Sequence, residues 1–191
     1  MIQLTQKSSD LLVPLVNAKL YLRVDHSSED TLITSLIKSV QEYMESYTSR
    51  AITNNTYKYI YDFKVGEYFG VFIKTRIGLI SSLDSIKTYN SDQTETTYQA
   101  TDFVYINDNQ ESKIIKKDGT VINIGDRFYA PLEIIFKAGF STSNIPNDLM
   151  NCILKLLAHW YEYRESISPE NMQDIPNSAI NILNKYRIEL L

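Results

Sequence analysis

Two residues of this sequence, Cys152 and His159, have side chains of the types that perform nucleophilic or soft-metal chemistry. The apolar periodicity around them predicts a single helix, on which seven residues span roughly 10 Å along the axis. A nucleophile and its base must lie within hydrogen-bond reach, and the ligands of one metal ion must converge just as closely. His159 and Glu162 also lack the spacing of a di-iron or zinc-protease motif. We therefore predict packing roles for Cys152 and His159.

Four residues near the N-terminus, Asp25, His26, Glu29 and Asp30, could together be interpreted as a site for a hard cation. A calcium loop of the EF-hand type needs a defined ligand spacing and a central glycine, and this segment has neither. Acidic residues at the start of a helix are already favoured by the helix dipole. We therefore predict helix-capping roles, and we expect no metal and no cofactor.

A nucleic-acid site could be sought around Lys113, Lys116 and Lys117, because the chain also has 14 tyrosines and 7 phenylalanines. Aromatic platforms for single strands normally come with a basic groove, whereas this cluster is flanked by Glu111 and Asp118. Half-buried strands and subunit contacts explain the tyrosine enrichment more simply. We expect no nucleic-acid binding by this cluster.

The composition narrows the class of protein. A chain of 191 residues can bury one self-sufficient core. Its net charge of −4 lacks the basic footprint of a duplex-binding domain. The single cysteine cannot form an internal disulfide, and we recognise neither a signal peptide nor the ~20 apolar residues of a membrane span. These features favour a soluble protein that folds in a reducing cytosol.

Helical periodicity is strong near the N-terminus. The apolar residues of 32–47 fall within ~140° of arc, which predicts a helix with one buried face over about 29–47. Ser27 and Asp30 have the spacing of a capping box, with Asp in place of the usual Glu or Gln. A shorter helix is predicted at about 15–22.

The C-terminal region predicts two further helices. Ile145-Pro146 opens the first, because a residue before proline avoids the helical conformation. Its apolar face extends from Leu149 to Tyr161, and Ser168-Pro169 marks its predicted end. A second Ile-Pro-Asn sequence at 175–177 opens the last helix. We expect both helices to pack back on the long N-terminal one.

Between the helical ends, the apolar period changes from 3.6 to 2. Alternation is clear in 57–64 and 132–137, as expected of half-buried strands. Turn sequences rich in Asn, Asp and Gly separate the runs. Further β-rich runs lie near 71–77, 83–89, 103–106 and 121–124. The pattern predicts about six short antiparallel strands.

The predicted fold class is therefore α+β, with a helical body and an inserted antiparallel β region. Residues 1–52 form the N-terminal helical part, 53–142 the β insertion and 143–191 the C-terminal helical part. The absence of a linker rich in Pro, Gly or Ser favours one discontinuous domain over two separate ones.

Motifs at both ends of the chain carry a family resemblance. Residues 18–25, the acidic patch 27–30 and residues 32–50 resemble the opening of the head-tail connector, or adaptor, proteins of long-tailed bacteriophages and prophages. The C-terminal Ile-Pro at 145–146, the Tyr-Glu-x-Arg stretch 161–164 and the closing Leu-x-x-Tyr-Arg at 183–187 resemble the same family. Tyr21 stands where these proteins commonly have His. The β insertion matches by position and type alone.

The resemblance implies a non-enzymatic structural part of a virion neck, assembled in the cytoplasm of the bacterial host. Such a protein forms a ring, with twelve copies as the expected number, beneath the portal protein of a DNA-filled capsid. It offers a platform to the next neck component, a stopper or a tail terminator, and DNA passes through its channel. Two alternatives stay open: another neck or tail-completion protein, and a small enzyme with its site in the β insertion.

Candidate contacts with the portal or a neighbouring subunit follow from this resemblance. Arg164 lies on the apolar face of its predicted helix, so it needs a carboxylate or several carbonyls as partners. These partners could lie within the chain or in another subunit. The C-terminal candidates are Arg187, Ile188, Leu190 and Leu191.

Overall fold

The computed structural model describes residues 1–61, 72–108, 111–120, 129–163 and 176–188, and every structural statement below refers to these ranges. Four helices and eight strands are present there, all strand pairs being antiparallel, which confirms the predicted α+β class. The helices are α1 (Leu15–Leu22), α2 (Asp30–Thr48), α3 (Asn147–Glu162) and α4 (Asn177–Tyr186). The strands are β1 (Ile2–Gln6), β2 (Asn55–Tyr61), β3 (Phe72–Thr75), β4 (Ile80–Tyr89), β5 (Glu95–Tyr98), β6 (Phe103–Asn107), β7 (Ser112–Lys116) and β8 (Leu132–Ala138).

The chain divides into two compact units. The β unit comprises Met1–Ser8 and Asn54–Gly139, and the helical unit comprises Ser9–Thr53 and Phe140–Leu191. The first eight residues join the β unit because β1 pairs with β2. The sequence prediction placed them in the helical part, although Ile2 and Leu4 alternate with Gln3 and Thr5 as in a short strand. Whether the two units form one domain stays a prediction.

The long helix α2 is the centre of the helical unit. It begins and ends within one residue of its predicted limits, and Ile33, Ile37, Val40 and Met44 are fully buried. The buried stripe is narrower than predicted, because Leu32 is exposed and Leu36 is only half-buried. Polar side chains at the next turns, Gln41 and Thr48, complete the buried face.

The short helix α1 matches its predicted range, but the predicted capping box of α2 is not formed. Glu29 is the N-cap residue of α2, and no side chain bonds to the free amides of its first turn. Asp30 instead accepts a hydrogen bond from the ammonium of Lys19 in α1 at 2.6 Å. Arg23 ends α1 in the left-handed conformation, with φ of 59°.

Helices α3 and α4 each begin just after a proline, as predicted. The buried residues of α3 are Leu149, Cys152, Ile153, Leu156 and Leu157. This helix ends at Glu162, earlier than the predicted Ser168-Pro169 boundary, which lies outside the described residues. In α4, Ala179 and Leu183 are fully buried. No helix in the described ranges is long and apolar enough to cross a lipid bilayer.

A five-stranded sheet with the order β1-β2-β8-β4-β5 forms most of the β unit. One face is apolar, because Tyr57 lies opposite Phe136 in the register and their rings stack at 6.0 Å. The other face is polar and half-exposed, with Lys58 and Glu133 in an ion pair of 2.6 Å. The predicted alternation in these two strands is therefore confirmed by the sheet.

A three-stranded sheet, ordered β3-β7-β6, is fastened to this larger sheet by side chains. The amide of Asn107 bonds both the N–H and the carbonyl of Ile80, at 3.0 and 2.9 Å. The buried Ser112 hydroxyl donates to the Gly78 carbonyl at 2.6 Å. The Asn107 side-chain amide therefore makes the pair of hydrogen bonds that a residue of a neighbouring strand would make with Ile80.

Five of the six predicted β runs are present, as β2, β3, β4, β6 and β8. The sixth, near 121–124, lies outside the described residues. Strands β1, β5 and β7 have no counterpart among the predicted elements. β5 is an exposed edge strand without apolar alternation. β7 lies in the lysine-rich segment. Pairing with neighbouring strands, rather than apolar alternation, explains why the segments of β5 and β7 are strands.

Substitution of Leu157 by Asp should prevent folding. The side chain is fully buried, and an unpaired carboxylate there costs free energy comparable to the ~5–15 kcal/mol stability of a domain. Leu36→Asp is the matched control, because that side chain is half-buried and the charge can reach water. Circular dichroism and thermal melting should find Leu36→Asp folded with a lowered Tm. A well-folded Leu157→Asp variant would contradict the assignment of the core.

Candidate functional site

The thiol of Cys152 lies in the core of the helical unit. It is fully buried on α3, and its Sγ is 3.7 Å from the carbonyl oxygen of Ala179 in α4. Burial raises the pKa of this thiol to about 11, an effect that nearby Asp148 reinforces and Lys155 opposes. A thiol with such a pKa carries almost no thiolate near neutral pH, which favours a packing role over nucleophilic reaction.

His159 lies two turns further along α3 and is engaged elsewhere. Its ring is 5.0 Å from that of Tyr163, and its carbonyl accepts a hydrogen bond from the Tyr163 amide. Seven residues of continuous helix separate it from Cys152, which corresponds to roughly 10 Å. The structure does not bring this cysteine and this histidine together.

The acidic residues before α2 hold the ends of helices together. Lys19 binds Asp30, and the Tyr161 hydroxyl of α3 donates to the Glu29 carboxylate. His26 contacts the Ser28 hydroxyl at 2.7 Å. Within the described ranges, no three His, Cys, Asp or Glu side chains converge in a way that could hold a metal ion. The arrangement joins α1, α2 and α3.

The lysine cluster of the β unit is partly neutralised by nearby acids. Lys113 pairs with Glu111 at 3.3 Å, and Lys116 pairs with Asp118 at 2.9 Å. The ammonium of Lys117 donates to the neutral Thr101 carbonyl at 2.6 Å. Hydrogen bonds from Thr120, aided by Lys116, lower the pKa of Asp118 to about 2. Two of the three lysines are therefore paired with acids, which reduces the positive charge of the cluster.

The two described C-terminal candidates, Arg187 and Ile188, are docked on the end of α2. The Arg187 guanidinium lies 5.8 Å from the centre of the Tyr47 ring. The Ile188 amide donates to the Thr48 carbonyl at 2.8 Å, and its side chain is only 2% exposed. Arg187 is exposed, so it is accessible to a partner, whereas Ile188 would first have to leave its place.

The other three candidates, Arg164, Leu190 and Leu191, lie outside the described residues. Their proposed contacts with the portal or with a neighbouring subunit stay predictions.

An aromatic cluster lies beside Arg187 on the helical unit. Tyr43 is 6.0 Å from Tyr47 and meets Trp160 edge-on at 5.7 Å. The Tyr47 hydroxyl donates to Asn184 at 2.9 Å, which ties α4 to α2. All three rings are half-buried. Clusters of Tyr, Trp and Arg of this kind are typical of protein interfaces.

Arg50 is a buried cation that the sequence did not single out as a site. Its side chain is 5% exposed, and its Nε has no hydrogen-bond partner among the described residues. Desolvation lowers the pKa of its guanidinium, and the nearby Tyr186 acts in the opposite direction. Tyr186 donates to Asp148 at 2.7 Å, and burial with this contact raises the Tyr186 pKa to about 12. Position 50 follows the end of α2, so no periodic pattern could indicate its burial.

Comparison with protein families gives a match over the first part of the chain. The model of the family described as phage gp6-like head-tail connector protein matches residues 14–118. This span includes α1, α2 and the strands from β2 to β7. No curated protein sequence matches the chain.

Solved structures match the fold over its whole length. One similar chain comes from the neck of an empty GTA particle computed with C6 symmetry, with a TM-score of 0.75. A second comes from the virion of a native gene transfer agent (GTA) particle, with a TM-score of 0.74, and a third from the neck of the native GTA particle computed with C12 symmetry, with a TM-score of 0.71. Each is 18% identical, and the match covers 100% of this chain and 97% of the other.

The buried state of Cys152 predicts slow modification. At pH 8 a maleimide or disulfide reagent should react with the folded chain far more slowly than with the chain in urea, because the folded thiol has a pKa of about 11. The stability of the wild type should also fall between about pH 9 and pH 11. The unfolded chain loses this proton near the ordinary pKa of 9.0, before the folded chain does.

The control is Cys152→Ser, whose stability should decline less over the same pH range. Tyr59 and Tyr186 also have pKa values raised to about 12, so only the difference between the two proteins reports on the cysteine. Equal labelling rates for the folded and unfolded wild type would contradict the buried assignment.

Proposed function

Because this chain belongs to the phage gp6-like head-tail connector proteins, we propose that it is the ring subunit that lies under the portal of a phage or phage-like capsid. In this role it gives the next neck component, a stopper or tail terminator, a platform for attachment. The family match over residues 14–118 carries the proposal. The proposed work of the protein is assembly, with no chemical step.

The number of copies is proposed to be twelve. The fold matches chains from necks computed with C6 and C12 symmetry, over 97% of those chains. In a ring of more than two copies, each copy contacts its two neighbours through two different surfaces. The ring closes when the rotation from one copy to the next adds up to a full turn. The fold similarity supports the ring, and the family supports its place in the neck.

Passage of DNA through the ring requires a surface that does not bind it tightly. Affinity for a polyanion grows with the number of phosphates that Lys and Arg neutralise. In this chain the net charge is −4, and Lys74 and Lys113 both pair with Glu111, whose pKa they lower. The net negative charge of the chain supports a role in which DNA passes without adhesion, and the shared Glu111 reduces the positive charge of the two lysines.

Contact with the portal or a neighbouring copy is proposed for Arg187 first. It is exposed at the end of α4, beside the half-buried rings of Tyr43, Tyr47 and Trp160. Ile188 is proposed to contribute only if the C-terminal end leaves α2. Arg164, Leu190 and Leu191 remain proposed contacts by their place in the family motif. Assembly is proposed to occur in the cytoplasm of the bacterial host.

Removal of the gene from the genome of the particle should give capsids that fill with DNA and do not join tails. Electron microscopy and packaged-DNA measurements check this result. A copy with both Cys152→Ser and His159→Gln should restore tailed particles, because neither side chain is proposed to react. Normally tailed particles without the protein would disprove the connector function. Assembled but inactive particles with the double variant would favour the enzyme alternative.

Arg187→Ala should lower the yield of tailed particles by about tenfold or more while leaving the chain folded. The change removes an exposed cation–π contact, worth only about 0.5–1 kcal/mol to the fold, but an interface arginine commonly contributes more to binding. Lys185→Ala is the matched control, since it removes an exposed cation from the same helix. Equal yields from both variants, measured by plaque or transfer titre, would exclude Arg187 from the interface.

A further inference from the structure

Helix α1 exposes two apolar side chains to solvent. Its sequence contains Leu15, Val16, Ala18, Leu20 and Leu22 within eight residues, with Asn17 and Lys19 as polar neighbours. On a surface helix the apolar residues normally lie on the face that packs on the core. In α1 only Ala18 is fully buried, whereas Val16 is 75% and Leu20 is 79% exposed. The isolated chain therefore leaves these two apolar side chains uncovered.

The two exposed residues form one stripe that the fold holds in position. Val16 and Leu20 are four residues apart, so they lie above one another on the same side of the helix. Leu12 and Val13, just before α1, are fully buried. The Lys19–Asp30 ion pair of 2.6 Å fastens α1 to α2. With both ends held in this way, α1 cannot turn its stripe inward without breaking these contacts.

The size of the stripe indicates what kind of complex it serves. A stable pair of proteins buries roughly 800 Å² on each partner, far more than two aliphatic side chains supply. A small contact becomes effective when many copies are held together, because the remaining contacts then form within one assembly. The stripe therefore fits a repeated contact in a closed ring better than a dimer in dilute solution.

One exposed cation lies at the edge of the stripe, because Arg23 ends α1 on that side. The sequence of the helical unit contains 8 Lys and Arg against 12 Asp and Glu, so Arg23 can pair with an acidic residue of a second copy, although both helical units are acidic overall. A ring contact joins two different surfaces, which means that the stripe meets another part of the neighbour and not its own equivalent.

We propose that the stripe of Val16 and Leu20 on α1 is an intersubunit face, by which each copy of this chain packs on the helical unit of the next copy. The inference rests on the proposed ring function and assigns it a surface.

Photo-crosslinking identifies what covers the stripe. Val16→Cys, in a chain that also carries Cys152→Ser, is labelled with a benzophenone maleimide, incorporated into particles and irradiated. A ladder that begins at twice the 22.1 kDa mass of the chain is the expected product. An adduct with a protein of different mass would overturn the proposal and identify the portal or another neck component as the occupant. Incorporation without any adduct would also overturn it.

A pair of variants tests the energetic role of the same face. Leu20→Asp should leave the Tm of the isolated chain within a few degrees of wild type, because the side chain is exposed, and should reduce tailed particles at least tenfold. Leu20→Met, which keeps an apolar side chain, should assemble normally. Wild-type yields from Leu20→Asp would overturn the proposal while leaving the connector function intact. Absence of the wild-type chain from purified necks would instead overturn the proposed function.

Discussion

The packing of α2 against α3 supports the rest of the helical unit. Each helix contributes four fully buried aliphatic or Met side chains, and covering each is worth about 1.5–3 kcal/mol. The exposed ion pairs around them contribute under about 1 kcal/mol each, so apolar packing decides the arrangement. These side chains are Ile33, Ile37, Val40 and Met44 of α2 and Leu149, Ile153, Leu156 and Leu157 of α3. Helices α1 and α4 are then fastened to α2 by Lys19–Asp30 and by Tyr47–Asn184.

Polar side chains complete this frame by bonding to the main chain. Gln41 accepts from the Leu12 amide at 2.8 Å and donates to the Asp10 carbonyl, which fixes the segment before α1. Glu45 accepts from the amides of Ile52 and Thr53. Buried polar groups must find such partners, because an unsatisfied one costs about 1–3 kcal/mol. Gln41 and Glu45 thus hold the segments before α1 and after α2 in place.

A connector needs surfaces rather than a cleft, and this has a physical consequence for how its function is encoded. Each surface can be weak, since a ring multiplies a small contact and the assembled neck prevents its parts from diffusing away. Weak surfaces keep the free chain from aggregating, because exposed apolar patches that are large enough to bind strongly also bind indiscriminately. The exposed stripe on α1 and the proposed contact at Arg187, just after α4, are both of this modest size.

The sequence by itself determined those helices and strands whose own residue pattern specifies them. The 3.6-residue period of α2, the prolines before α3 and α4 and the alternation in β2 and β8 were sufficient, and the motifs at both ends indicated the family. Only the tertiary structure decided which of these residues are covered. Ile188 became buried against Thr48, the cation of Arg50 was enclosed, and Leu20 was left outside. Periodicity records that a residue is apolar, whereas burial depends on which distant segment packs over it.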